Sequence, residues 1–411
     1  MIDLKNKKVT IIGAARSGLA VADLVLRLGG ISKISDSKEV VSAPVGCMIE
    51  QGGHTKEFIQ DSHYVVLSPG VRIDSQVAKW AKEKGIEVMG EVELAFRLCP
   101  CPIVAITGSN GKTTTTTLIA EILRKAGKNV CLCGNIGSPF ASHVLSLNPA
   151  DVVVLEISSF QLESTIHFKP HVALWLNFSQ NHLDRHKDLN EYFDAKKKIF
   201  ANQDKNDFAV INFEQGELRE LVERLESEVV YFNDQQSPVG ITNPNYRAAF
   251  VTAKALGISE DISRNVFKEF KGVEHRLELV RTLDGVDYIN DSKSTTAVAG
   301  RWALESVHKP LIMICGGSDK HIDYNDLKSL VGEKVKNMIA IGAIKEQIRQ
   351  TFADVVHVEF ANSLESAVEL ARQKACSGDC VILSPMTASF DMFKDYEHRG
   401  RVFKEIVTKL T

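Results

Sequence analysis

The sequence contains no apolar run approaching the ~18 to 20 residues that cross a bilayer. Its start, Met1-Ile-Asp-Leu-Lys-Asn-Lys-Lys8, enters a strand directly, without the apolar core of a signal peptide. A cytoplasmic location and no membrane partner are therefore expected. A basic excess is also missing: 49 Lys and Arg stand against 52 Asp and Glu, giving a formal charge of −3 and leaving no broad face for nucleic acid. Eight cysteines occur, including the pairs Cys99/Cys101 and Cys131/Cys133, but none has C-x-x-C spacing, so zinc is not expected and reduced thiols are. The first βα turn, Gly13-Ala-Ala-Arg-Ser-Gly18, lacks the middle glycine of a dinucleotide fingerprint, because Ala15 stands there. That glycine permits close approach to a pyrophosphate, so another nucleotide is favoured over NAD.

What is present points to an α/β protein. At 411 residues the chain exceeds the size at which one core stops growing, so two or three domains are expected. Hydrophobic content of 44% and charged content of 25% are ordinary for a globular protein. The segment Ile103–Leu118 reads as a buried strand, a Gly-containing loop and a helix through Leu118, Ile119, Ile122 and Leu123. This is the layout of a phosphate cradle. Gly108, Ser109, Asn110 and Gly111 supply the loop, Lys112 reaches the β/γ-phosphates, and the hydroxyl of Thr113, followed by Thr114, suits Mg²⁺. The fit to the P-loop pattern is imperfect, since Ile106 occupies the position of its first glycine. An ordinary glycine-rich turn is the bland alternative.

In chain order, the opening βαβ unit ends its second strand at Asp36-Ser37, where a carboxylate suits a hydroxyl-bearing group. A strand from Tyr64 runs into the loop Ser68-Pro-Gly70, a helix covers Ser75 to Lys84, and a strand covers Glu87 to Met89. After the phosphate loop, the strand Val130–Gly134 ends at Asn135. A strand from Asp151 ends at Glu156, a candidate Mg²⁺ ligand. The strand Val172–Asn177 leads into His182, Asp184, Arg185 and His186, and a helix Leu189–Phe200 carries Lys196, Lys197 and Lys198, which read blandly are a solvated basic face. A helix Arg247–Leu256 precedes a last set of strands at Val286–Ile289, Leu311–Ile314, Asn337–Ile341 and Cys380–Leu383.

With these residues in place, the chain resembles the Mur ligase family, and within it the branch that adds D-glutamate. The resemblance rests on Thr107-Gly-Ser-Asn-Gly-Lys-Thr-Thr114, Gly134-Asn-Ile-Gly137, Glu156-Ile-Ser-Ser-Phe-Gln-Leu162, His182-Leu-Asp-Arg-His186, Asn290-Asp-Ser-Lys293, Gly316-Gly-Ser-Asp-Lys320 and Ser384–Lys394, in the family's order. It implies three domains: a Rossmann-like UDP-binding domain over 1–91, a central P-loop ATPase domain with a parallel sheet over 92–272, and a C-terminal Rossmann-like domain over 273–411. It implies ATP and Mg²⁺, with Lys112 and Thr113 at the phosphates, Glu156 and His182 at metal sites, and a carbamylated lysine as a further metal ligand, Lys196 in the alignment or Lys197 if the intervening helix carries a one-residue gap. Asn245, Arg276 and Asp291 would hold the adenine nucleotide. Asn135 belongs to the acceptor pocket, and Lys293, Thr295, Lys320, Ser389 and Tyr396 would place D-glutamate and the reacting groups. Ala15, Arg16, Asp36, Ser37 and Gly70 match the loops that bind the uridine diphosphate of UDP-N-acetylmuramoyl-L-alanine. A monomer is expected.

The implied activity is formation of an amide bond through an acyl phosphate, with ADP and phosphate as products, and with Lys112, His182, Lys196 and Lys293 as catalytic residues. Two departures stand out: Asn181 where an acidic residue commonly precedes the histidine, and Ile241-Thr242 in place of a His-Asn pair. The rival readings are a Mur ligase for another amino acid and a catalytically silent nucleotide-binding regulator of cell-wall synthesis.

Overall fold

The computed structural model describes residues 2–40, 42–180, 185–235, 238, 240–319 and 322–411. Its chain divides into two compact units, Met1–Phe270 and Lys271–Thr411, and its strands form three sheets. The expectations placed on His182 and Lys320 lie outside the described residues.

The first sheet contains β1 (Lys8–Ile12), β2 (Ile31–Asp36), β3 (Met48–Gln51), β4 (Tyr64–Leu67) and β5 (Glu87–Gly90), ordered β3-β2-β1-β4-β5 and all parallel. Alternation fixes its two faces. Val9 and Ile11 pack towards Val21, Leu24 and Val25 of the helix Arg16–Arg27, while Ile12 joins Val77, Ala78 and Ala81 of the helix Gln76–Glu83. Each valine, leucine or isoleucine among them contributes about 1.5 to 3 kcal/mol on burial. The strand order reverses at β1 and β4, and the loops after these strands sit where ligands bind in open α/β sheets.

The second sheet comprises β6 (Ile103–Thr107), β7 (Val130–Gly134), β8 (Val152–Glu156), β9 (Val172–Trp175), β10 (Phe208–Asn212) and β11 (Glu228–Phe232). Its order is β11-β10-β9-β6-β8-β7, again all parallel, with β6 central. Val104 and Ile106 face Leu118, Ile119 and Ile122 of the helix Lys112–Lys125 and Ala248 and Phe250 of the helix Pro244–Ala255. Ile103 and Ala105 face a core shared with the first sheet. The link between these sheets is the helix Glu91–Phe96, whose Glu93 is fully buried. Its carboxylate accepts the amides of Ile166 (2.8 Å), His167 and Phe168 (3.0 Å) and pairs with Arg97 at 2.7 Å. So many donors are what a buried carboxylate requires.

The second unit holds β12 (Glu278–Leu283), β13 (Val286–Asn290), β14 (Leu311–Gly316), β15 (Val335–Ile341), β16 (His357–Phe360) and β17 (Cys380–Leu383), ordered β12-β13-β17-β14-β15-β16. All its pairings are parallel except β12 with β13. The two faces of the buried strands divide between separate clusters, Met313 and Ile382 in one, Ile312, Val381 and Leu383 in the other.

Several boundaries differ from those the sequence suggests. The helix expected at Arg247–Leu256 starts at Pro244, because the Asn243 side chain accepts the Asn245 amide (2.9 Å) and Pro244 needs no amide partner at the first position. The helix from Leu189 ends at Lys197, and its last turn tightens to a 3₁₀ turn over Lys198–Phe200.

Candidate active site

The phosphate loop leaves β6 at Thr107 and turns through two glycines with positive φ, Gly108 at 157° and Gly111 at 79°. A Cβ on Gly111 would lie 2.3 Å from the Asn245 side-chain oxygen, so only glycine lets that side chain rest against the loop. The loop is stapled to the end of β9. The Ser109 amide donates to the Asn177 carbonyl (3.0 Å) and the Asn110 amide to the Asn177 side chain (2.8 Å), while the Asn177 amide group donates back to the Asn110 carbonyl (3.1 Å). These two loop amides are thus committed to the protein. The helix Lys112–Lys125 begins directly after Gly111, so its N-terminal turn, the end of a helix that favours an anion, opens at the loop. The Lys112 ammonium donates to the carbonyls of Gly108 (2.8 Å) and Ser109 (3.1 Å).

Lys196 is buried under this loop, its ammonium 3.0 Å from the Gly108 carbonyl and 3.3 Å from the Thr107 hydroxyl. Burial, reinforced by the nearby Lys112 charge, pushes its pKa well below the usual lysine range, with Glu156 opposing. The basic-face reading of this triplet therefore fails for Lys196, although Lys197 and Lys198 remain partly exposed. Tyr192, one turn earlier, lies beneath Lys196 with its ring centroid 4.8 Å from the ammonium, and its hydroxyl meets the Ser109 hydroxyl at 3.1 Å. Sequence reasoning missed Tyr192. The signal was its place on the stripe Tyr192, Ala195, Lys196, Ile199, which is buried throughout.

Glu156 ends β8 beside β6 and is 2% exposed. One carboxylate oxygen accepts the Asn135 side-chain amide at 2.8 Å, and the Asn135 backbone amide donates to the Glu156 carbonyl at 2.9 Å. The other oxygen is buried with no hydrogen-bond partner among the described residues. A buried carboxylate with one oxygen unsatisfied fits a divalent cation better than an apolar core. Asn135, expected in an acceptor pocket, here orients Glu156.

At the first sheet, the Asp36 oxygens accept the amides of Ala14 (2.6 Å) and Lys38 (2.8 Å). Burial opposes ionisation, but these amides hold the carboxyl below its ordinary pKa. Asp36 thereby shapes the turn Gly13–Arg16. The Ser68 hydroxyl donates to the Gly13 carbonyl at 2.9 Å, Ala15 precedes the helix Arg16–Arg27, and Ser37 lies exposed beside it. These loops reach those of the second sheet: the Arg16 guanidinium donates to the Gly137 carbonyl, and Arg185 donates to the Gly70 carbonyl at 2.8 Å. Arg72, unforeseen, donates to the Arg185 carbonyl and lies 3.5 Å from Glu191.

The remaining expected residues belong to the second unit. Asp291 is fully buried at the end of β13, accepting the Ser384 hydroxyl (3.0 Å) and the Leu277 amide (3.2 Å); burial raises its pKa to about 6 against the opposing Arg276 charge. The Arg276 guanidinium stacks over Trp302 at 4.6 Å, and the Lys293 ammonium lies 5.6 Å from the centre of the Tyr396 ring. Ser389 is buried, its carbonyl accepting the Phe393 amide at 2.8 Å, and Thr295 is half-buried next to Lys293.

Comparison with known proteins covers the chain from end to end. Residues 7–90 match the Mur ligase MurD-like N-terminal domain, 106–275 the Mur ligase middle domain, and 275–386 the Mur ligase glutamate ligase domain. The UDP-N-acetylmuramoylalanine–D-glutamate ligase of Koribacter versatilis is 39% identical over 450 residues, covering 100% of this chain and 99% of its own. The protein of the same name from Pelotomaculum thermopropionicum is also 39% identical, with 99% of both chains covered. Among solved structures, the MurF ligase of Thermotoga maritima in complex with ADP superposes with a TM-score of 0.62 at 16% identity over 100% of both chains. The UDP-N-acetylmuramate-alanine ligase of the same organism gives 0.61 at 17% over 98% of this chain and 99% of its own.

Proposed function

The chain belongs to the Mur ligase family, and on that premise we propose that it joins D-glutamate to UDP-N-acetylmuramoyl-L-alanine with conversion of ATP to ADP and phosphate. It is an ATP-dependent ligase forming a carbon–nitrogen bond in peptidoglycan precursor synthesis, and we place it in the cytoplasm. The observation that carries the reading is the end-to-end identity with D-glutamate ligases, joined by a phosphate loop that has Lys112 above it and Lys196 below it. We assign residues 1–91 to the UDP-substrate, 92–272 to ATP and 273–411 to the amino acid and nucleotide.

A carboxylate is a poor acylating agent, so the L-alanyl carboxylate first attacks the γ-phosphoryl group to give an acyl phosphate. The amine of D-glutamate then attacks the activated carbonyl and phosphate leaves. Lys112 and the first-turn amides of the helix Lys112–Lys125 hold the phosphates and stabilise their growing charge. The neutral form of Lys196 is the nucleophile that adds carbon dioxide, forming a carbamate and releasing a proton, which turns a cation unwelcome at that depth into an anion. Mg²⁺ held by Thr113, Glu156, the carbamate of Lys196 and His182 would offset the repulsion between the two reacting anions. Asn245, Arg276 and Asp291 serve the nucleotide; Lys293, Thr295, Lys320, Ser389 and Tyr396 serve D-glutamate; Arg16, Ala15, Asp36, Ser37 and Gly70 serve the uridine diphosphate.

The test is phosphate release by the purified protein with ATP, Mg²⁺ and UDP-N-acetylmuramoyl-L-alanine, comparing D-glutamate with L-glutamate, L-lysine and meso-diaminopimelate. Release with D-glutamate alone is expected. Release with another amino acid would assign the chain to another branch, and none with any would leave a silent nucleotide-binding module.

A further inference from the structure

Among the described residues of the second unit, Arg399 is the largest charged side chain that is buried, 1% exposed in the helix Tyr396–Lys409. Its guanidinium reaches two loops. Nε donates to the Ser292 hydroxyl (3.0 Å) and Nη2 to the Ser292 carbonyl (2.9 Å), on the loop after β13. Nη2 also donates to the Thr387 carbonyl (3.3 Å) and Nη1 to the Ala388 carbonyl (3.4 Å), on the loop after β17. The Ser292 hydroxyl in turn donates to the Tyr396 carbonyl at 2.8 Å, closing the arrangement onto the same helix.

The loop after β17 needs such a holder. Met386 adopts a left-handed φ of 62°, which is strained for a side chain of its size. The carbonyl oxygens that follow turn inward, and the Ala388 oxygen also accepts the Ser318 amide at 2.9 Å. Gly317 makes that approach possible, since a Cβ there would lie 2.2 Å from the same oxygen. Burial lowers the Arg399 pKa only to about 10, with Asp391 and Asp291 supporting the charge, so the fork stays cationic at neutral pH.

From this geometry we propose that Arg399 is a positioning residue for the acceptor amino acid, clamping the loops that carry Lys293 and Ser389 into one rigid surface. It touches no reacting atom; it fixes the spacing of those that do. The inference rests on the D-glutamate reading above. Four donors in one plane are essential, because a lysine nitrogen cannot reach both loops.

The experiment compares wild type with Arg399→Lys and Arg399→Met. For Arg399→Lys, the KM for D-glutamate should rise at least about tenfold while the KM for UDP-N-acetylmuramoyl-L-alanine stays within about twofold. A lysine variant with both KM values unchanged and only a lower maximal rate would show a merely structural role and overturn the proposal. Amide-hydrogen exchange gives a readout independent of activity: peptides covering 291–295 and 384–389 should exchange faster in Arg399→Met, and unchanged exchange in both would overturn the clamp. Should that variant not fold, the same peptides are read in Arg399→Lys. If wild type itself shows no D-glutamate dependence, the functional reading falls and exchange alone decides the clamp.

Discussion

Lys196 and Lys197 are neighbours in sequence with opposite environments: one nitrogen is buried against the Gly108 carbonyl, the other side chain is partly exposed. Lys196→Met should therefore lower kcat by at least about a thousandfold, whereas Lys197→Met should stay within about threefold; a [¹³C]bicarbonate-dependent carbamate resonance should vanish only in the first. Glu91 gives a second residue-scale prediction. It is wholly buried, and burial pushes its pKa up to about 7 although the amides of Ala141 and Phe140 pull it down. The folded state then holds a proton that an unfolded glutamate has lost, so stability falls as pH rises from about 4.5 to 7 and levels off above. Glu91→Gln keeps an acceptor for the Ala141 amide, 2.7 Å away, and removes the titration. Urea unfolding at pH 5 and pH 8 should show a flatter pH dependence and about 1 to 3 kcal/mol more stability at pH 8. An unchanged slope would contradict the assignment. The environment of Glu91 was not legible in the sequence; three consecutive lysines look solvated, and besides the family resemblance only the helical phase set by Tyr192 and Ile199 separates Lys196 from the rest.

At the scale of elements, the buried central strands were readable because they are continuous apolar runs followed by glycine. Strands β3, β10, β11, β12 and β16 were not, and four of these five sit at sheet edges, where side chains such as those of Glu278, Arg281 and His357 blur the pattern. The phosphate loop was legible in its residues but not in its wiring to Asn177, which is set by β9 lying beside β6. That wiring makes Gly111 sensitive. Gly111→Ala must hold a φ of 79° and displace the Asn245 side chain, so about 1 to 2 kcal/mol of stability should be lost and ATP-dependent turnover should drop by more than about tenfold. Thermal unfolding and phosphate release measured on one preparation check both, and wild-type values for each would remove the close packing from the account.

For the whole molecule, three α/β sheets and their order along the chain follow from repeated strand–glycine–helix segments, whereas contacts far apart in sequence, such as Arg16 with Gly137 and Arg185 with Gly70, do not. The first unit, Met1–Phe270, carries the phosphate loop, Lys196 and Glu156. ADP with Mg²⁺ at about a hundred times its Kd should stabilise that unit by about 2.7 kcal/mol, and Lys112→Ala should abolish the gain in a thermal-shift titration. The central claim, that the chain activates a carboxylate by phosphorylating it, is tested most directly with ¹⁸O in the L-alanyl carboxylate of the UDP-substrate. During turnover with D-glutamate, one labelled oxygen should pass to inorganic phosphate for each amide formed. Phosphate without label, alongside an amide product, would contradict an acyl-phosphate route.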